Sequence, residues 1–224
     1  MFEKFKELFS SQNLLETAFE TTLTMLEFDS KMFEASRHTL RESDNAELPF
    51  DIKEMDRKVN KYEREVRRNV LTHLTVAGTA NLVPGLVLVS IVVDVERIGD
   101  FTKNIVELAQ QHPDRLHGDV YEESLSAIES RVQERFGLTY KVLKNQDKEM
   151  GRSIMQAEDE TGKQADSIMN SLISCRDDGI KSCDSVALAL YARYLKRINA
   201  HLTNVASAIV NPFPRISFRE KKPK

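Results

Sequence analysis

The sequence predicts an all-α protein built as two tandem three-helix bundles, six long antiparallel helices related by a pseudo-two-fold. Three observations carry this. Apolar residues recur at threes and fours along most of the chain, the period of an amphipathic helix. Gly (8) and Pro (6) are scarce among 224 residues, which leaves few turns and therefore long elements. One Pro/Gly linker, Gln111 to Asp119, splits the chain almost in half, with three helical patterns on either side. The units that follow are residues 1–111, residues 119–210 and a basic tail, 211–224.

Taken in order, Met1 to Phe9 sets Phe2, Phe5, Leu8 and Phe9 against Glu3, Lys4, Lys6 and Glu7. This is a short amphipathic helix that either packs on the body or touches a membrane surface or transporter; its mixed charge makes it a weak anchor. Ser10 to Arg41 repeats apolar residues (Leu14, Ala18, Met25, Phe28, Met32) and reads as one long helix. Pro49 marks a break, after which Asp51 caps a second helix, with Glu54 three residues on as a capping box. That helix runs to about His73.

Thr72 to Asn81 is the next break, with Asn81 as cap and Pro84 in the first helical turn. Leu86 to Val93 is almost wholly apolar, so the third helix is buried around its circumference there. It turns amphipathic at Asp94 and ends at His112-Pro113. The second half repeats the pattern: helices from about Val120 to Lys148, Arg152 to Ser174 and Ser182 to Val210. The apolar stripes of the third and sixth helices face a shared core. The tail adds Pro212, Pro214, Pro223 and five basic residues, read as an extended end. It serves solubility, or contacts anionic lipid or an acidic partner at about 1 kcal/mol per charge.

Composition narrows the function. A net charge of −3, no Trp and 7% aromatic residues argue against nucleic acid as a partner. No run of apolar residues spans a membrane, and the N-terminal charges do not fit a signal peptide. Cys175 and Cys183 form no C-x-x-C and show no zinc spacing with His, which fits a reducing cytoplasm. None of His38, His73, His112, His117 and His201 follows a Glu at the spacing of di-iron bundles. There is no Walker loop, G-x-G-x-x-G or G-x-S-x-G, and no nucleophile with a base beside it. The chain does not read as an enzyme.

The chemistry sits on the third helix. Glu96 and Asp100 are four residues apart, so both carboxylates share one face. Such a pair repels unless a cation or a basic side chain serves it. On the second helix Asp56 and Asn60 are also four apart, followed by Glu63, which offers further oxygen ligands. The candidate metal ligands are therefore Glu96, Asp100, Asp56, Asn60 and Glu63. Oxygen ligands suit Mg²⁺, Ca²⁺ or Mn²⁺ and also take iron or zinc. The alternative is an ion pair, with Arg97 or Lys58 serving the acids, or for Asp56, Asn60 and Glu63 a solvated face.

Glu96-Arg97-Ile98-Gly99-Asp100, followed by Asn104-Ile105, resembles the signature of the PhoU family, whose acidic motif is Glu/Asp-x-x-x-Asp. The resemblance implies a multinuclear metal site at such motifs and an acidic position like Asp56 on the preceding helix. It implies a cytoplasmic negative regulator of phosphate uptake and signalling, an adaptor between a phosphate transporter and a sensor histidine kinase, and often a homodimer. A location at the inner face of the membrane goes with such partners. Two other functions stay open: an accessory subunit of a phosphate permease, favoured by the amphipathic start and the basic tail, and a metal-buffering carboxylate bundle.

The second half departs from the motif. Arg197, Ile198 and Asn204 match Arg97, Ile98 and Asn104, but Lys196 stands for Glu96 and Ala200 for Asp100. On the helix before, Asp159 is followed by Lys163. A lysine opposes cation binding by Coulomb repulsion. The expectation is one metal site or none.

Overall fold

The computed structural model describes residues 11–112, 114–174 and 179–220. The Met1–Phe9 segment, Cys175 and the end of the tail lie outside them. Six long helices run in order: α1 (Ser11–Arg41), α2 (Ile52–Ala77), α3 (Leu82–Gln111), α4 (Glu122–Asn145), α5 (Lys148–Ile173) and α6 (Ser182–Val210). Short 3-10 turns lead into α3 and α4 and follow α6.

Local chemistry sets most boundaries. Asp51 accepts hydrogen bonds from the backbone N–H groups of Lys53 (2.8 Å) and Glu54 (3.2 Å), which starts α2 as expected. α2 then runs four residues past His73, to Ala77, where Gly78 takes a positive φ of 68°. Asn81 does not cap α3 with its side chain; its amide faces His73 Nε2 at 3.1 Å instead. The α4–α5 break also falls earlier than the sequence suggests. Gln146 adopts the left-handed conformation, and the Asp147 carboxylate accepts from Met150 N at 3.0 Å, so α5 begins at Lys148. Neither Gly nor Pro marks that turn, so periodicity ran through it.

Neighbours within each half are antiparallel. Phe28 meets Tyr62 between α1 and α2, and Lys103 meets Asp56 between α2 and α3. In the second half Arg131 meets Gln164, and Lys196 meets Asp166. The halves do not keep separate cores. One continuous apolar cluster runs from Met25 and Phe33 through Val95, Ile98 and Ile105 to Phe136, Leu195 and Leu202. α3 and α6 lie in its middle, as their stripes predict. α3 shows no exposed residue between Gly85 and Glu96, but of the apolar run only Leu88, Ile91 and Val92 are fully buried; Leu86, Val87, Val89 and Val93 are half-buried, so the run is not buried all round.

Polar contacts lock the halves together. Between α3 and α6, Asp94 Oδ1 accepts from Asn204 Nδ2 at 2.9 Å and meets His201 Nδ1 at 2.7 Å. His201 also stacks on Phe101. Between α1 and the second half, Arg41 Nε donates to Glu129 Oε1 at 2.9 Å, and the Tyr191 hydroxyl donates to the same oxygen at 2.8 Å. Arg41 also reaches Glu122 and the Leu116 carbonyl. The tail is not extended over residues 211–220. Asn211 Nδ2 donates to the carbonyls of Arg215 and Phe218, and Arg152 pairs with Glu220 at 3.0 Å.

Arg41 and Glu129 side chains are each 7% exposed, so either one alone would be a buried, unpaired charge. We expect Arg41→Met to lower the unfolding free energy by about 3 kcal/mol in urea. Leu26 is the counterpart of Glu129 in the first half. The Arg41→Met/Glu129→Leu double variant should therefore recover more than half of that loss.

Candidate functional site

The acids of the motif are placed by the apolar residues beside them. Val95, Ile98, Gly99 and Ile105 are buried in the central cluster. The helical turn then stations Glu96 and Asp100 one above the other at the edge of that core, with side chains 13% and 28% exposed. Asp56, in the first turns of α2, comes to the same place: Lys103 Nζ donates to Asp56 Oδ1 at 3.1 Å and to Asp100 Oδ1 at 3.5 Å. Arg97 closes the outer side, 2.8 Å from Asp100 Oδ2 and 3.7 Å from Glu96 Oε2.

The residue at the centre is Asp29, on α1. It is fully buried, and neither carboxylate oxygen has a hydrogen-bond partner among the described residues. Burial raises its pKa well above the usual carboxylate range, and the charges of Glu96, Asp100 and Asp56 push it further the same way. Glu96 is raised too, by burial first and then by Asp100, with Arg97 pulling back. Gly99 leaves the room for this. A Cβ there would stand 3.1 Å from Asp29 Oδ1, closer than ordinary contact.

Of the other ligands read from sequence, Glu63 pairs with Arg67 at 2.8 Å while its charge still acts on Glu96. Asn60 donates its amide to the Asp56 backbone carbonyl at 3.0 Å. Lys58 lies over the Phe28 ring, and the basic partners of the motif acids are Arg97 and Lys103. Asp29 itself was missed. Its signal was the one acid on a buried helix face, four residues from both Met25 and Phe33, whose other polar members are the uncharged Thr22, Ser36 and Thr39.

A carboxylate buried without donors beside three other acids needs a proton or a cation. Lys103 and Arg97 serve the outer acids and leave both Asp29 oxygens unserved. The donor set is oxygen only, which suits a hard divalent cation and admits iron or zinc. Among the described residues no three of these acids bring ligand atoms within 4.8 Å of one another, so Asp29, Asp56, Glu96 and Asp100 would hold such an ion only after their side chains close on it.

The second half keeps the frame but not the full acidic set. The buried positions Met25, Leu26, Asp29, Met32 and Phe33 of α1 recur as Ile128, Glu129, Val132, Arg135 and Phe136 of α4. Valine thus stands for Asp29. In the same register Val59, Glu63 and Val66 of α2 recur as Thr161, Ala165 and Ile168 of α5. Glu158 and Gly162 therefore face the places of Asp56 and Asn60, one residue before the pair suggested by sequence. Lys196, in the place of Glu96, donates to both oxygens of Asp166 at 2.6 and 2.7 Å.

Comparison with known proteins agrees with the two halves. The family model described as PhoU domain matches residues 22–109 and again 125–209. The crystal structure of PhoU from Pseudomonas aeruginosa superposes with a TM-score of 0.77 at 20% identity, covering 88% of this chain and 96% of that one. The structure of the phosphate transport system regulatory protein PhoU from Streptococcus pneumoniae gives 0.71 at 16% identity, covering 89% and 92%. These likenesses concern the fold. No curated protein matches the chain in sequence.

Asp29 and Glu96 both have raised folded-state pKa values, so at these two groups the metal-free native state binds more protons than the unfolded chain. Metal-free stability should fall as pH rises from about 4, where free carboxyls ionise, until the folded groups have ionised. Asp29→Asn removes the larger contribution. Urea unfolding in chelator should show Asp29→Asn more stable than the wild type at pH 7, with a flatter pH profile.

Proposed function

Because the chain belongs to the PhoU family, we propose that it is a cytoplasmic negative regulator of phosphate uptake and signalling, an adaptor between a phosphate transporter and a sensor histidine kinase. The carrying observation is the family match over both halves, supported by likeness to a structure titled as a phosphate transport system regulatory protein. No helix among the described residues is long and apolar enough to cross a membrane, so contact with a transporter would be peripheral. Long helices with charged outer faces suit docking between partners, and the family resemblance favours a homodimer. This reading assigns the chain a regulatory role, not a catalytic one.

Within it, the acidic site acts as a structural anchor. A bound cation would supply positive charge to Asp29, Asp56, Glu96 and Asp100 and so fix α1, α2 and α3 against one another. Lys103 and Arg97 hold Asp56, Asp100 and Glu96 in place from outside. The second half, with Lys196–Asp166 in the corresponding place, needs no metal.

Affinity capture of the tagged chain from its host should recover both a phosphate transporter component and a sensor kinase, and removing the gene should raise phosphate uptake. Recovery of a permease alone, with kinase signalling unchanged, would replace the adaptor by the permease-subunit reading. Metal content that tracks supply, without any partner, would favour the metal buffer.

A further inference from the structure

Away from the acidic site, the fold brings together three residues that lie far apart in the chain. His112 caps the end of α3, its N–H bonded to Leu108 O at 2.9 Å. Cys183 and Asp184 lie in the first turn of α6. His112 Nε2 is 2.9 Å from Asp184 Oδ1, and Cys183 Sγ is 3.5 Å from that same oxygen. The three ligand atoms all lie within 4.8 Å of one another.

The histidine is the telling member. Its side chain is 6% exposed, and both ring nitrogens face oxygen acceptors: Nδ1 the Asp114 carbonyl at 2.5 Å, Nε2 the Asp184 carboxylate. A neutral imidazole has one ring proton. If Nδ1–H donates to the carbonyl, the Nε2 lone pair is left pointing at an anion. A carbonyl on the far nitrogen is also how metal-bound histidines are commonly oriented.

We propose that His112 Nε2, Cys183 Sγ and Asp184 form a second metal site, for Zn²⁺ or a similar borderline cation, which clips the end of the first half to the start of α6. One nitrogen, one sulfur and one carboxylate make a zinc-like set, unlike the oxygen-only site around Asp29. Zinc bond lengths put tetrahedral ligand atoms about 3.3–3.6 Å apart. The sulfur–oxygen distance already fits, and the nitrogen–oxygen distance needs a few tenths of an ångström more. Cys183 is exposed, which gives an ion a way in, and the fourth position falls to water. As the metal–sulfur bond forms, the thiol proton passes to solvent.

The test is Co²⁺ titration of the full metal-free chain, followed by absorbance. A thiolate-to-cobalt charge-transfer band should grow and saturate at one ion per chain. Cys183→Ser should abolish it, and His112→Gln should weaken Co²⁺ binding about ten-fold or more. Asp29→Asn and Cys175→Ser should leave it unchanged, so this site stands or falls separately from the acidic one. Zn²⁺ should raise the Tm of the wild type more than that of Cys183→Ser, with both variants melting cooperatively. No band at saturating Co²⁺, or a band that follows Cys175 instead of Cys183, would overturn the proposal and leave His112–Asp184 as a plain ion pair.

Discussion

The Asp29 carboxylate, buried without a hydrogen-bond donor, is the constraint around which the first half is arranged. The core around it is apolar, so a charge there costs several kcal/mol unless something answers it. Everything nearby bears on that answer. Gly99 gives up its side chain to make room, Asp56, Glu96 and Asp100 add negative charge, and Lys103 and Arg97 keep the outer acids in place.

The second half shows what the same frame does without that constraint. Val132 fills the position of Asp29, Ala200 that of Asp100 and Ala165 that of Glu63, and Lys196 turns to Asp166. Packing survives because Phe136, Ile168, Leu195 and Ile198 keep the buried places of their counterparts. Charge has moved instead to the seam between halves, where Glu129 takes Leu26's place and binds Arg41 and Tyr191. One half is therefore specialised for holding charge, the other for holding the first half.

The six helices were legible because each buries one face, and burial imposes a 3.6-residue period on the sequence. Glu96 and Asp100 were legible because they interrupt an apolar helix as a pair. Asp29 was not, since a lone acid between Met25 and Phe33 looks like an exception in a hydrophobic face. Which exceptions matter depends on what α2 and α3 bring opposite. The α4–α5 turn was hidden because Gln146 adopts a left-handed conformation without the glycine that usually announces one. The His112–Cys183–Asp184 cluster has no spacing signature at all; only the packing of α6 against the end of α3 creates it.

The most direct test of a cation centre at Asp29 is elemental analysis of natively purified protein in a Cys183→Ser background, which removes the sulfur ligand from the count. Close to one equivalent of a divalent or iron ion per chain is expected, and little once Asp29→Asn is added. Equal metal content with and without Asp29→Asn would contradict it, as would a native chain free of metal, leaving Asp29 a protonated core acid.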